Sequence, residues 1–186
     1  MSVPESFSLP VSDDKDLWVS WDEYHRSIED LIRLVYESGW KFDQVLCLAR
    51  GGLRLGDVFS RVFDVPLAIL SASSYREEAG TVRGVLDIAK HITVTKGSLS
   101  GRVLLLDDLA DSGETLTKVR EHLCDNFPAV NEVKSAVIWV KACSAFHPDY
   151  CLQYLPTNPW IHQPFEVYDS MRPEQLIERL NSNRGE

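Results

Sequence analysis

Residues 103–115 read VLLLDDLADSGET. Val103 to Leu106 form a short apolar run without helical periodicity, which predicts a strand buried on both faces. The run stops at two adjacent carboxylates, Asp107 and Asp108. A loop carrying Asp111, Ser112, Gly113 and Thr115 follows, and beyond Gly113 the pattern turns helical. Strand, loop and helix N-terminus in that order place the loop at the carboxyl end of a strand, where open α/β sheets bind ligands. The fold class this predicts is α/β.

The residue types in the loop define its chemistry. Backbone N–H groups from Ser112 to Thr115 can converge on an anion at the helix N-terminus, with the two hydroxyls as further donors. Gly113 allows close backbone approach and a positive φ. Asp107 and Asp108 repel phosphate; they suit sugar hydroxyls, as acceptors, or a hard divalent cation. A sugar phosphate fits both halves. The alternative is a plain βα turn capped by Asp and Ser. The P-loop pattern G-x-x-x-x-G-K-[ST] is absent.

A chain of 186 residues with 44% apolar content is sized for one core, so residues 1–186 read as a single domain. No stretch approaches the ~18 to 20 apolar residues of a membrane span. The segment MSVPESFSLPVSDDKD lacks the basic and apolar regions of a secretory signal. Cys47, Cys124, Cys143 and Cys151 show neither C-x-x-C nor His-paired spacing, as in a reduced, cytoplasmic chain. A net charge of −9 with no Lys/Arg cluster argues against nucleic acid as a partner.

Taken in order, residues 1–18 read as an N-terminal extension with two apolar anchors, Leu17 and Trp18. Ser20 and Glu23 have capping-box spacing, and Tyr24, Ile28, Leu31, Ile32 and Val35 recur at helical intervals up to Gly39, a C′ glycine. Gln44 to Ala49 is a second buried strand, followed by Arg50-Gly51-Gly52 and a helix from Leu53 to Phe63. The two glycines expose backbone amides and Arg50 adds a cation, although a tight turn with a solvated arginine has the same pattern. Val65 to Leu70 is a third strand. Residues 71–95 suggest a long loop or hairpin containing Arg76 and Arg83, which read as solvated. After a helix ending at Asn126, Lys134 to Val140 forms another strand, with Lys141 at its carboxyl end and so on the binding face. Cys151 to Leu155 reads as an edge strand, Trp160 to Glu166 as a Pro-flanked loop, and Pro173 opens a short helix.

Residues 103–115 resemble, at every position, the 5-phosphoribosyl 1-pyrophosphate (PRPP) signature of the type I phosphoribosyltransferases. Leu48 to Leu53 (LARGGL) is similar to the pyrophosphate loop of the purine-using members. Trp160-Ile161-His162-Gln163-Pro164-Phe165-Glu166 resembles the hood of the bacterial xanthine-guanine enzymes. The resemblance implies a mostly parallel central sheet flanked by helices, with a small C-terminal hood at about residues 151–170.

It also implies roles. Arg50, Gly51 and Gly52 would hold pyrophosphate, with the Ala49–Arg50 peptide cis. Asp107 and Asp108 would orient the ribose hydroxyls and hold Mg²⁺. Asp111, Ser112, Gly113, Glu114 and Thr115 would bind the 5′-phosphate, and Asp111 would also be the catalytic proton acceptor facing N7 of the base. Ser74 and Tyr75 would begin a lid. Lys141 would donate to a 6-oxo group, Trp160 would stack on the purine and Ile161 would offer it backbone groups. Adenine would set donor against donor at Lys141, so the expected acceptors are hypoxanthine, guanine or xanthine. His162 departs from the acidic residue of the hood pattern, so that residue's contacts do not carry over. The implied partners are PRPP and a purine base, with assembly as a dimer or tetramer. Two other readings stay open: a non-catalytic PRPP or nucleotide sensor of the same fold, and a transferase for another base such as a pyrimidine.

Overall fold

The computed structural model describes residues 15–74 and 86–182. These divide into two compact units. The larger spans Ser27–Asn158; the smaller takes the described residues before Ser27 and after Asn158.

The large unit is a seven-stranded sheet with helices on its faces. Its strands are β2 (Gln44–Ala49), β3 (Leu67–Ser74), β4 (Leu86–Ile88), β5 (Thr93–Val94), β6 (Gly101–Ala110), β7 (Val130–Val140) and β8 (Tyr150–Tyr154); β1 and β9 belong to the small unit. The order is β4-β3-β2-β6-β7-β8, with β5 also on β3. All pairs from β3 to β8 along that path are parallel, while β4 and β5 run antiparallel to β3. The apolar runs read from sequence are the centre of this sheet: Val45 to Leu48, Val103 to Leu106 and Ala136 to Val140 are all buried.

Alternation along the strands feeds two cores. On one face Leu46, Leu48, Val103 and Leu105 join Leu116, Val119 and Leu123 of α3 (Glu114–Asn126). On the other, Cys47 meets α2 (Leu53–Phe63), where a Cβ on Gly56 would lie 2.7 Å from that of Cys47. Gly56 thus sets how closely helix and strand approach.

Helix α1 (Trp21–Glu37) begins at the expected capping box. Ser20 N–H donates to Glu23 Oε2 at 2.8 Å, and Glu23 N–H donates to Ser20 Oγ at 3.2 Å. Its stripe Tyr24, Ile28, Leu31 and Val35 is buried, and Gly39 ends it at φ 73.

The small unit contains a two-stranded parallel ribbon of β1 (Asp16–Trp18) and β9 (Trp160–His162), with α4 (Val167–Ser170) and α5 (Pro173–Ser182) after it. Two readings change here. Asp16 to Trp18 is a strand and not part of a loose extension, and Trp160 to His162 is its partner strand and not a loop. Tyr150–Tyr154 pairs with β7 in the large sheet, so the small unit resumes at Pro159 and not near residue 151.

Other boundaries moved as well. β3 begins at Leu67 and continues to Ser74, held beyond Leu70 by β2 and β4. β7 begins four residues early, at Val130, because β6 pairs with it from Gly101 onward. Among the described residues no helix is long and apolar enough to cross a membrane.

Candidate active site at the strand ends

The carboxyl ends of β2, β6 and β7 lie side by side. The last register pair between β2 and β6 is Cys47↔Leu106, whereas β6 stays paired with β7 as far as Ala110↔Val140. Asp107 and Asp108 are therefore inside strand β6, a correction to the expectation that the strand stops before them. They lie past the last β2 pairing, level with the turn at Arg50-Gly51-Gly52.

The two glycine positions of that turn have no space for side chains. A Cβ on Gly51 would overlap the Asp108 carboxylate, and one on Gly52 would lie 2.5 Å from the Leu106 carbonyl oxygen. The two glycines seat the expected pyrophosphate turn directly against the acid pair. Gly52 N–H donates to Leu48 O at 2.8 Å, and the Ala49–Arg50 peptide is cis, as the resemblance implied. Arg50 is exposed beside it.

Asp108 is buried, and its backbone N–H donates to Asp107 Oδ1 at 3.0 Å. Burial, and after it the charge of Asp108, pushes the Asp107 carboxyl well above its ordinary range. Two carboxylates suit Mg²⁺, which binds through one or two of them and completes its shell with water and substrate phosphate oxygens. Among the described residues no group of three or more His, Cys, Asp or Glu could hold a metal.

Beyond β6, Asp111 and Ser112 lead into Gly113 at φ 80, the N-cap of α3. A Cβ there would overlap that of Phe146 and lie 2.9 Å from Ser144 Oγ, so Gly113 is required twice over. Glu114 N–H donates to Ser112 Oγ at 3.3 Å, while Thr115 is partly buried in the first turn. The loop after β7 is tied to this one: Ala145 N–H donates to Ser112 O at 3.0 Å, and Lys141 N–H to Ala110 O at 3.1 Å.

Register then brings two expected site residues together. Lys141 follows Val140 and Asp111 follows Ala110, and Nζ lies 3.3 Å from Oδ2. Only 8% of the lysine side chain is exposed, against 57% of the aspartate. Sequence reasoning missed Cys143, whose Sγ lies 3.6 Å from Asp111 Oδ1 and 3.5 Å from Asp111 O. Its signal was its place two residues past Lys141.

Arg50, Gly51, Gly52, Asp107, Asp108, Lys141 and the loop from Asp111 to Thr115 thus gather at one edge of the large unit. Of the two lid residues, Ser74 ends β3 by its backbone and Tyr75 lies outside the described residues, as do Arg76 and Arg83. Trp160 and Ile161 belong to the small unit, where the indole is 56% exposed and the isoleucine is buried. The Glu166 carboxylate accepts a hydrogen bond from the Trp160 side chain, although burial raises its pKa overall. A cleft of about 450 Å³ opens between Trp18, His162, Gln163 and Glu166.

A mostly parallel α/β sheet with a glycine-bearing loop and paired acids at its strand ends defines a class of domains that bind ligands at that edge. Within that class the chain belongs to the phosphoribosyltransferase family, matching the phosphoribosyl transferase domain over residues 20–170. It is 26% identical over 156 residues to the xanthine-guanine phosphoribosyltransferase of Idiomarina loihiensis, covering 83% of this chain and 89% of that one. Among solved structures, the purine phosphoribosyltransferase of Pyrococcus horikoshii Ot3 superposes with a TM-score of 0.65 at 26% identity, covering 81% of this chain and 94% of the other. The xanthine-guanine-hypoxanthine phosphoribosyltransferase of Helicobacter pylori gives 0.68 at 23% identity, covering 90% and 99%. The fold is the type I phosphoribosyltransferase fold expected from sequence.

Proposed function

We propose that this protein transfers the 5-phosphoribosyl group from PRPP to a 6-oxopurine, giving the nucleoside monophosphate and pyrophosphate. Such a reaction salvages a preformed base. The observation that carries the reading is the Lys141–Asp111 pair, a buried cation and an exposed carboxylate 3.3 Å apart at the rim of the anion loop. The relatives described as purine phosphoribosyltransferases support it.

In this reading the purine enters by separating the pair. Lys141 turns a donor to the 6-oxo group, and Asp111 accepts the N7 proton while N9 forms the new bond to the anomeric carbon. The bond from that carbon to pyrophosphate breaks, and its electron pair leaves with pyrophosphate. Arg50 and the amides of Gly51 and Gly52 take up the growing negative charge. Ser112, Gly113, Glu114 and Thr115 hold the 5′-phosphate at the start of α3. Asp107 and Asp108 orient the ribose hydroxyls and would hold Mg²⁺, which when bound neutralises charge on the pyrophosphate. Trp160 supplies a stacking face for the base and Ile161 its backbone groups.

Pyrophosphate release from PRPP with Mg²⁺ tests this, with hypoxanthine, guanine, xanthine, adenine and uracil offered in turn. Turnover confined to 6-oxopurines is the expected result. Turnover of adenine would remove Lys141 from its role, and tight PRPP binding without turnover of any base would make the protein a sensor.

A further inference from the structure

The small unit holds a side-chain cluster that the reaction above leaves unassigned. Register pairs Asp16↔Trp160 and Trp18↔His162 place these four residues on one face of the ribbon, with Leu17 and Ile161 buried on the other. On the outer face His162 Nε2 and Asp16 Oδ1 are 2.7 Å apart. The Trp18 ring lies flat on the His162 ring, with centroids 3.7 Å apart and planes at 8°.

A parallel ladder of three residues is weak by itself. Backbone bonds from Trp160 N to Lys15 O (2.7 Å) and from Val19 N to His162 O (3.1 Å) close it at its two ends. The rest must come from side chains. Trp18 is 67% exposed, so its main attachment is the stack on His162. Trp160 has its edge on Glu166 and more than half its surface in solvent. Its backbone is held by β1.

We propose that Asp16, Trp18 and His162 are positioning residues for Trp160. They lock β1 to β9, the ribbon sets the indole's orientation, and the exposed indole then receives a planar base with little ordering left to lose. None of the three touches the base. This rests on the reading of Trp160 as the stacking residue.

The test compares Trp18→Ala, Trp18→Phe and His162→Ala with the parent protein. Loss of one aromatic stack is expected to raise KM for the base about threefold to tenfold, with KM for PRPP within about twofold. Trp18→Phe, which keeps a ring on His162, restores the parent value. A second readout is independent of turnover: ¹⁹F NMR of protein labelled with 5-fluorotryptophan, with Trp160 identified through Trp160→Phe. Its resonance is expected to narrow and shift in Trp18→Ala and to return in Trp18→Phe. A Trp160 resonance that stays put in Trp18→Ala overturns the proposal whatever KM does, and so does a PRPP KM that rises in step with that of the base. If no purine is turned over, the proposed function fails while the resonance still decides this one.

Discussion

The strand-end site and the ribbon solve the same problem, holding side chains in a fixed place, by opposite means. Strand β6 lies between two parallel neighbours as far as Leu106, carries its acids just past the last β2 pairing, and shares nine register pairs with β7 alone. The ribbon has three. Where the ladder is long and buried, the backbone itself places the groups, and glycines mark where other groups must come close. Where it is short, a hydrogen bond, a ring stack and a capping box do that work. Substitutions at the strand ends should therefore be all-or-none, whereas those in the small unit should be graded.

The sharpest break in that comparison is Asp111→Asn. It keeps the loop's shape but removes the proposed proton acceptor, so kcat is expected to fall about 10²- to 10⁴-fold with PRPP affinity retained in equilibrium binding. Gly113→Ala comes next. It places a Cβ at φ 80 and against Phe146, for a loss of about 2–4 kcal/mol in denaturant unfolding, with turnover falling alongside.

In the small unit, Ser20→Ala removes one partner of the α1 capping box and should cost about 1 kcal/mol. The side-chain hydrogen bond from Ser20 is the main cause of Glu23's lowered pKa. A lowered carboxyl pKa contributes stability that is full above the ordinary glutamate range and is lost as pH falls through the lowered value. The difference between parent and variant should therefore be present at pH 7 and shrink in acid, as unfolding midpoints across pH will show.

The smallest effect separates core from rim. Burial pushes both Cys47 and Cys151 up to about 12, while Cys124 and Cys143 are exposed. At pH 8 a thiol reagent should modify two cysteines quickly and two slowly. PRPP with a 6-oxopurine should shield Cys143, beside Asp111, and leave Cys124 reactive. Peptide mapping of the labelled protein reads both outcomes.

Much of the large unit was legible because its signals are local. The buried strand Gln44–Ala49, the helix Leu53–Phe63 and the end of α3 at Asn126 match their sequence readings to the residue. The reach of β6 to Ala110 was not legible, since adjacent aspartates disfavour a strand on propensity alone and only pairing with Val137 to Val140 keeps them in one. Register also made the Lys141–Asp111 contact, which two separate roles had not suggested. Asp16 to Trp18 was invisible for another reason. Three residues carry no period, and their partner strand lies beyond residue 159.

That last separation has a consequence for the order in which the molecule is made. Asp16 pairs with Trp160, so a growing chain displays β1 early and must make 144 more residues before the partner exists. At about 5–20 residues per second that is a wait of roughly 7–30 s. Over that interval the sheet strands from β2 to β8 are all synthesised, while β1 has nothing to join. The ribbon is a long-range closure, completed only when the chain has been made as far as His162. Until then the chain can own the loop after β6 and its acids, but not the ribbon that carries Trp160.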